Sequence, residues 1–157
     1  MADVPHAELR LQVCGPNDAP SLLSWIKALA AYEGRPSAVT ISESRLRDLI
    51  RQPAFEASFI TLGTLEIGYT VTFPQTSTYS GKTSLYLEDI FLSPEHRGQG
   101  RGAQVMHLLA KRARNLDATT LSWSVLRTNR EAIRFYEKLG ATPILAWGHY
   151  AIDIENL

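Results

Sequence analysis

The chain has 157 residues, 45% of them apolar and 20% charged, with 10 glycines and 8 prolines. That profile excludes a fibre or a disordered tail and predicts one globular domain over residues 1–157, able to bury roughly two thirds of its unfolded surface without metal or disulfide staples. The 16 basic and 16 acidic side chains cancel, so no long-range field draws the chain onto a phosphate backbone, and nucleic acid is not an expected partner.

Met1-Ala2-Asp3-Val4-Pro5-His6 puts an acid and a proline where a signal peptide needs a basic start and an apolar run. No window approaches the roughly 18 apolar residues of a membrane span, so no membrane partner is expected. Leu9, Leu11 and Val13 alternate with Arg10, Gln12 and Cys14, the period-two pattern of a strand. Cys14 is the chain's single cysteine; it cannot close an internal disulfide, which favours a reducing cytoplasm, and it reads as a small packing residue. Gly15-Pro16-Asn17-Asp18 ends the strand and offers helix caps. Leu22, Leu23, Ile26, Leu29 and Ala30 then recur at helical spacing over 19–32, and Gly34-Arg35-Pro36 stops the helix. Residues 41–50 read as a second, short helix with Ser42 as its cap and Pro53 as its breaker.

Residues 57–62 and 65–73 look like a hairpin turning at Gly63-Thr64, with Tyr69, Val71 and Phe73 on one face. A Thr, Ser and Gly-rich loop over 74–82 carries Tyr79 and leads into 85–92, the most apolar strand candidate, interrupted by Glu88 and Asp89. After a glycine turn at 97–102, Val105, Leu108, Leu109, Ala113 and Leu116 form an apolar stripe opposite Gln104, His107, Lys111 and Arg114. Residues 121–126 read as a strand and 129–139 as a helix ended by Gly140, with one or two short strands in the last fifteen residues. The predicted order is β-α-α-β-β-β-α-β-α-β, an α/β sandwich around a mixed sheet. Trp25, Trp123 and Trp147 read as core or interface residues. His6, His96, His107 and His149 lack metal-ligand spacing, so no metal is expected.

Arg97, Gly98, Gln99, Gly100, Arg101 and Gly102 lie between a strand and a helix start, where glycines let the backbone turn its N–H groups toward one anion. The spacing Gly98-x-Gly100-x-x-Ala103 meets a loose dinucleotide fingerprint, with Asp117 downstream as the ribose-binding acid. Context argues against it. Asp117 falls before the next strand instead of at its end, and too little chain follows for a doubly wound domain. A phosphate-binding P-loop fails because no Gly-Lys-Ser or Gly-Lys-Thr follows.

Arg97-x-x-Gly100-x-Gly102 also matches the Arg/Gln-x-x-Gly-x-Gly/Ala pyrophosphate loop of acyl-CoA-dependent N-acetyltransferases. With the strand Tyr86-Leu87-Glu88-Asp89 and the run Asn129-Arg130-Glu131-Ala132-Ile133-Arg134-Phe135-Tyr136-Glu137-Lys138-Leu139-Gly140-Ala141, the whole chain resembles the GNAT superfamily. Leu85-Tyr86-Leu87-Glu88-Asp89, taken with the early run Ile26-Lys27-Ala28-Leu29-Ala30-Ala31-Tyr32-Glu33, resembles its diamine and polyamine branch. The resemblance implies a three-layer α/β/α sandwich with a central mixed, mostly antiparallel sheet, acetyl-CoA as cosubstrate, and a homodimer. It also implies that Asn129 contacts the pantetheine arm, beyond capping its helix, and that Glu33 and Asp89 hold the amine. Tyr79 stands where polyamine enzymes often carry a tryptophan, a departure from the pattern.

Acetyl transfer needs a neutral amine, yet an alkylamine resembles lysine, with a pKa near 10.4, so a base must take its proton. Glu88 is the candidate, directly or through a water. Adjacent strand residues point to opposite faces, so Glu88 and Asp89 enter one cleft only if a bulge intervenes. The leaving CoA thiolate gains from a proton. Periodicity alone makes Tyr136 a core residue with its hydroxyl at the rim, while the resemblance makes it the acid. Backbone N–H groups along 88–92, those of Ile90 and Leu92 included, are expected to face the acyl-CoA. The expected function is an acetyl-CoA-dependent N-acetyltransferase for a small, diamine- or polyamine-like amine. Alternatives are an amino acid or protein lysine as acceptor, or a non-catalytic acyl-CoA-binding module.

Overall fold

In the computed structural model, which describes residues 7–146 and 148–156, the first alternating segment forms β1 (Leu9–Val13). A tight turn follows, in which the Gly15 N–H donates to Asp18 Oδ2 at 2.7 Å. It delivers the chain into α1 (Ala19–Tyr32), whose apolar stripe buries Ala19, Leu22 and Ala30. Ser42 caps α2 (Glu43–Ile50) as predicted, its hydroxyl accepting from the Arg45 N–H at 3.1 Å. The hairpin forms as β2 (Glu56–Leu62) and β3 (Leu65–Thr76), which pair antiparallel and turn between Leu62 and Leu65. Next come β4 (Thr83–Leu92), α3 (Arg101–Asn115), β5 (Ala118–Trp123) and α4 (Arg130–Lys138). Met1 to His6 and Trp147 lie outside the described residues.

The sheet runs β1-β2-β3-β4-β5, antiparallel except for the parallel β4–β5 pair. This is the mixed, mostly antiparallel sheet that the resemblance implies. On one face, Leu22 of α1 and Leu46 of α2 pack with Phe59, Tyr69, Val71 and Phe91. On the other, Ala113 of α3 packs with Leu85, Ala118 and Leu121. The result is a helix layer on each side of the sheet. Truncating the fully buried Leu46 to alanine removes its contacts with the first layer and should cost roughly 2–5 kcal/mol. Arg112 of α3 forks onto the Glu56 carboxylate of β2, adding an ion pair at the sheet's far face. Gly68 is fixed by close approach, because a Cβ there would meet the Phe91 carbonyl of β4 at 2.0 Å.

Three expectations fail. The predicted loop over 74–82 begins late, because β3 runs on through Pro74 to Thr76 in pairing with Thr83–Leu85 of β4. The fifth strand starts and ends three residues earlier than the predicted 121–126, because α3 stops at Asn115 and Asp117, at φ 55°, turns the chain straight into pairing with β4. Apolar pattern did not mark Thr119 and Thr120, which sit exposed in that strand. The closing strands are also absent among the described residues after Gly140, where a single short 3₁₀ turn (Ile154–Asn156) forms. Apolar residues there satisfy strand propensity, but a strand exists only where another edge pairs with it. The chain forms two compact units, one ending at Ser124 and one beginning at Val125.

Candidate active site

The β3–β4 register puts Val71 opposite Asp89 but Thr72 opposite Leu87, which leaves Glu88 as an extra residue, a β-bulge. Its effect on side-chain direction follows from the neighbours. Tyr86 stacks on Phe73 at 6.1 Å on the α1–α2 face, whereas Leu85 belongs to the α3 face. Alternation from Tyr86 through Leu87 returns Glu88 to the α1–α2 face. Asp89, paired with Val71, lies on that same face. In an unbulged strand Asp89 would point toward α3. The bulge therefore places two consecutive acids on one side of the sheet, the condition that a shared cleft requires.

Asp89 is half-buried, and the fully buried Tyr69 donates its hydroxyl to Asp89 Oδ2 at 3.0 Å. Burial pushes the Asp89 carboxyl up to about 6; the Tyr69 hydrogen bond opposes that rise, and the negative charges of Glu88 and Glu33 add to it. Burial, followed by the same three carboxylates, also drives the Tyr69 phenol well above its usual range. Glu33 reaches this cluster from the C-cap of α1, where its N–H donates to the Leu29 carbonyl at 2.9 Å. The structure thus brings Glu33, Glu88 and Asp89 within electrostatic reach of one another, with Tyr69 among them. The sequence reading missed Tyr69 as a site residue. It marked the residue only as one of an inward-facing strand row, and its diagonal neighbour across the pair appears only with the register.

Pairing of β4 with β5 ends at Leu87–Trp123, so among the described residues the β5 side of 88–92, with Ile90 and Leu92, has no strand partner. Beyond β4 the chain enters the glycine turn. Gly98 and Gly100 sit at φ 77° and 73°, a left-handed conformation that suits glycine, and a Cβ on either would meet nothing within 4 Å. Gly100 is the N-cap of α3 and no side chain caps it; the first N–H to bond back is that of Gln104, onto the Gly100 carbonyl at 3.1 Å. The N–H groups of Arg101, Gly102 and Ala103 precede that bond, at the positive end of a 15-residue helix. Open space and orphan donors at one helix start are what an oligophosphate requires.

The two arginine side chains of this turn are not a solvated pair. Arg97 lies over the Tyr32 ring at 4.2 Å and donates from Nε to the Leu92 carbonyl at 2.9 Å. Arg101 reaches back to the His96 carbonyl at 3.4 Å. They brace the turn, and Gln99, like Gly98 and Gly100, is exposed upon it. His96 Nδ1 lies 2.8 Å from the buried Ser93 hydroxyl just before the turn. Among the described residues no group of three or more His, Cys, Asp or Glu side chains is placed to hold a metal.

In the second unit, Asn129 caps α4, its side-chain oxygen accepting from the Ala132 N–H at 3.1 Å. Tyr136 is half-buried in the last turn of that helix, its ring 5.2 Å from that of Phe135.

Comparison with known proteins places these features. Residues 27–141 match the acetyltransferase (GNAT) family profile. The chain belongs to the GNAT acetyltransferase family. This acetyltransferase is 30% identical to thialysine N-epsilon-acetyltransferase of Mus musculus over 88% of its own length and 86% of that protein's. It is 33% identical to the Bos taurus enzyme of the same name over 81% and 80%. Homo sapiens spermidine/spermine N(1)-acetyltransferase-like protein 1 is 27% identical over 89% of this chain and 22% of that one. An aminoglycoside acetyltransferase crystal structure from a soil metagenome superposes with a TM-score of 0.77 at 16% identity, covering 92% of this chain and 97% of that one, a likeness of fold.

The match spans both compact units of the acetyltransferase and includes the bulge, the glycine turn and α4. It removes the reading as a mere acyl-CoA-binding module: the protein is an N-acetyltransferase, acting on amines. No helix among its described residues is long and apolar enough to cross a membrane.

Proposed function

We propose that the chain acts as a single N-acetyltransferase domain that transfers the acetyl group of acetyl-CoA directly to a small primary amine bearing a second cation, within a ternary complex. The observation that carries this reading is the bulge in β4, which turns Glu88 and Asp89 to one face beside Glu33. Three carboxylates with no basic side chain among the charges acting on Asp89 favour a dication over a neutral or anionic substrate.

In this reading Gly98, Gln99, Gly100, Arg101 and Gly102 offer backbone N–H groups to the pyrophosphate, on a turn braced by the Arg97 and Arg101 side chains. The edge at Ile90 and Leu92, without a strand partner among the described residues, serves the pantetheine arm, and the family resemblance assigns Asn129 to that arm as well. Acetyl-CoA supplies the activated acyl group. Glu88 takes the proton from the amine, directly or through a water, so that the nitrogen lone pair is free to attack. Glu33 and Asp89 hold the remaining ammonium, and Tyr136 gives its phenolic proton to the leaving thiolate. Backbone N–H groups of 88–92 stabilise the developing oxyanion.

The names of the thialysine relatives favour a second reading for the acceptor, the side-chain amine of a free amino acid. A panel of short diamines, polyamines, thialysine, ornithine and a lysine peptide, assayed by release of the CoA thiol, decides between them. Highest kcat/KM on a diamine or polyamine supports the first reading, and highest kcat/KM on an amino acid replaces it with the second.

A homodimer in the cytoplasm completes the proposal. Exposed Ile144, Leu145, Tyr150, Ile152 and Ile154 in the second unit supply apolar surface for a partner copy, and the only cysteine, Cys14, is a buried free thiol. Light scattering across a dilution series tests the dimer, and a monomer at every concentration would remove it.

A further inference from the structure

Resting on the diamine reading, we infer that Tyr69 is a positioning residue that sets the preference for a second ammonium: its hydroxyl pins one oxygen of Asp89 and leaves the other to the substrate. Tyr69 is fully buried in the α1–α2 face of the sheet, where a phenylalanine would fill the same volume without a polar atom to satisfy. Its hydroxyl instead points at Asp89 Oδ2, 3.0 Å away. Tyr69 pairs with Phe91 and Val71 with Asp89, so donor and acceptor are diagonal neighbours on one face. The contact depends on the bulge, because without it Asp89 would face α3.

Among the described residues no other group donates a hydrogen bond to the Asp89 carboxylate. A carboxylate has room for about four such bonds. Fixing Oδ2 from below removes the rotation of the carboxylate about its last bond and presents Oδ1 in one direction. The groups that face Asp89 are Tyr69 from β3, Glu88 from its own strand and Glu33 from the end of α1. Two of these are anionic and raise the affinity of Asp89 for a proton; Tyr69 alone counters them, since it donates to the ionised form. Tyr69 thus does two things for a cationic ligand. It orients the carboxylate, and it keeps the carboxylate charged nearer to neutral pH.

The test is Tyr69→Phe in the full chain, assayed with 1,3-diaminopropane and with propylamine between pH 6 and pH 9. The preference for diamine over monoamine in kcat/KM should fall about tenfold near pH 7, the size of one hydrogen bond to a charged group. The loss should lie in the diamine KM and shrink toward pH 9, where Asp89 ionises even without its donor. Affinity for acetyl-CoA should stay within about twofold of the parent, which also reports an intact fold. In an Asp89→Asn background, adding Tyr69→Phe should change the preference no further. An equal, pH-independent loss on both amines would make Tyr69 a packing residue and overturn the inference, as would an additive effect in the double variant. A parent enzyme with no preference for the diamine would instead overturn the substrate reading on which the inference stands.

Discussion

The Arg97 guanidinium carbon lies 4.2 Å from the centre of the Tyr32 ring and 5.3 Å from that of Phe91, and Arg97 Nε donates to the Leu92 carbonyl at 2.9 Å. One side chain thereby joins the end of α1, where Glu33 follows Tyr32, to the end of β4 and the start of the glycine turn. A cation over an aromatic face contributes roughly 0.5–2 kcal/mol, and a bond from a charged donor to a carbonyl adds about 1.5–3 kcal/mol.

Arg97→Leu should therefore lower stability by about 2 kcal/mol in urea unfolding, as well as weakening acetyl-CoA binding. Arg97→Lys keeps the charge but loses the planar stack and the fixed Nε geometry, and should recover less than half of that loss. An unchanged unfolding midpoint in both variants would show that the side chain serves the ligand alone.

Asp89→Asn should stabilise the free protein at neutral pH while impairing it as an enzyme. The Asp89 carboxyl is raised from 3.8 to about 6 in the fold. Between those values the folded chain holds a proton that the unfolded chain has released, so stability falls as pH rises through that window, and the whole penalty is present above it. Removing the charge recovers on the order of 2–3 kcal/mol at pH 7.5 and almost nothing at pH 4. Urea midpoints of the two proteins at both pH values measure this directly. A gain that persists unchanged at pH 4 would assign it to packing.

Gly100→Val should weaken acetyl-CoA binding at least tenfold by calorimetry. Gly100 sits at φ 73°, where a β-branched residue costs roughly 1–3 kcal/mol, and the added side chain fills space open for a ligand. Gly81→Val is the matched control, at φ 65° with equally open surroundings in the loop before β4. It should share the backbone strain and leave acetyl-CoA affinity untouched. Equal affinities in the two variants would remove the glycine turn from the binding site.

Glu88→Gln keeps the shape of the side chain at the bulge but cannot accept a proton. Turnover on the best amine should drop by a factor of about 10²–10⁴ near pH 7 and recover in part above pH 9, where more amine with a pKa near 10.4 is already neutral in solution. A rise in KM at constant kcat would make Glu88 an anchor instead of a base. Tyr136→Phe should lower kcat by more than it changes acetyl-CoA affinity, and full turnover in that variant would leave Tyr136 as a packing residue.

What the sequence determined by itself was local. The helix of Ala19–Tyr32 was legible, because its apolar period and the Gly34-Arg35-Pro36 stop are properties of neighbouring residues. So were the Ser42 cap, the turn at Gly63-Thr64 and the glycine turn at 97–102. The family resemblance was legible because its motifs are short and collinear, and the matched residues 27–141 contain all of them.

Tertiary structure decided what depends on pairing. Whether Glu88 and Asp89 share a face rests on one residue of slip against β3, which no pattern within β4 encodes. The start of β5 at Ala118 rests on where α3 releases the chain beside β4, and among the described residues no closing strand forms where propensity alone suggested one. Tyr69 on Asp89 and Arg97 on Tyr32 link residues far apart in the chain, chosen by register and packing. Side-chain types and their periods are written along the chain, but the partner that gives a strand its register, or a buried carboxyl its charge, is supplied only when distant segments meet.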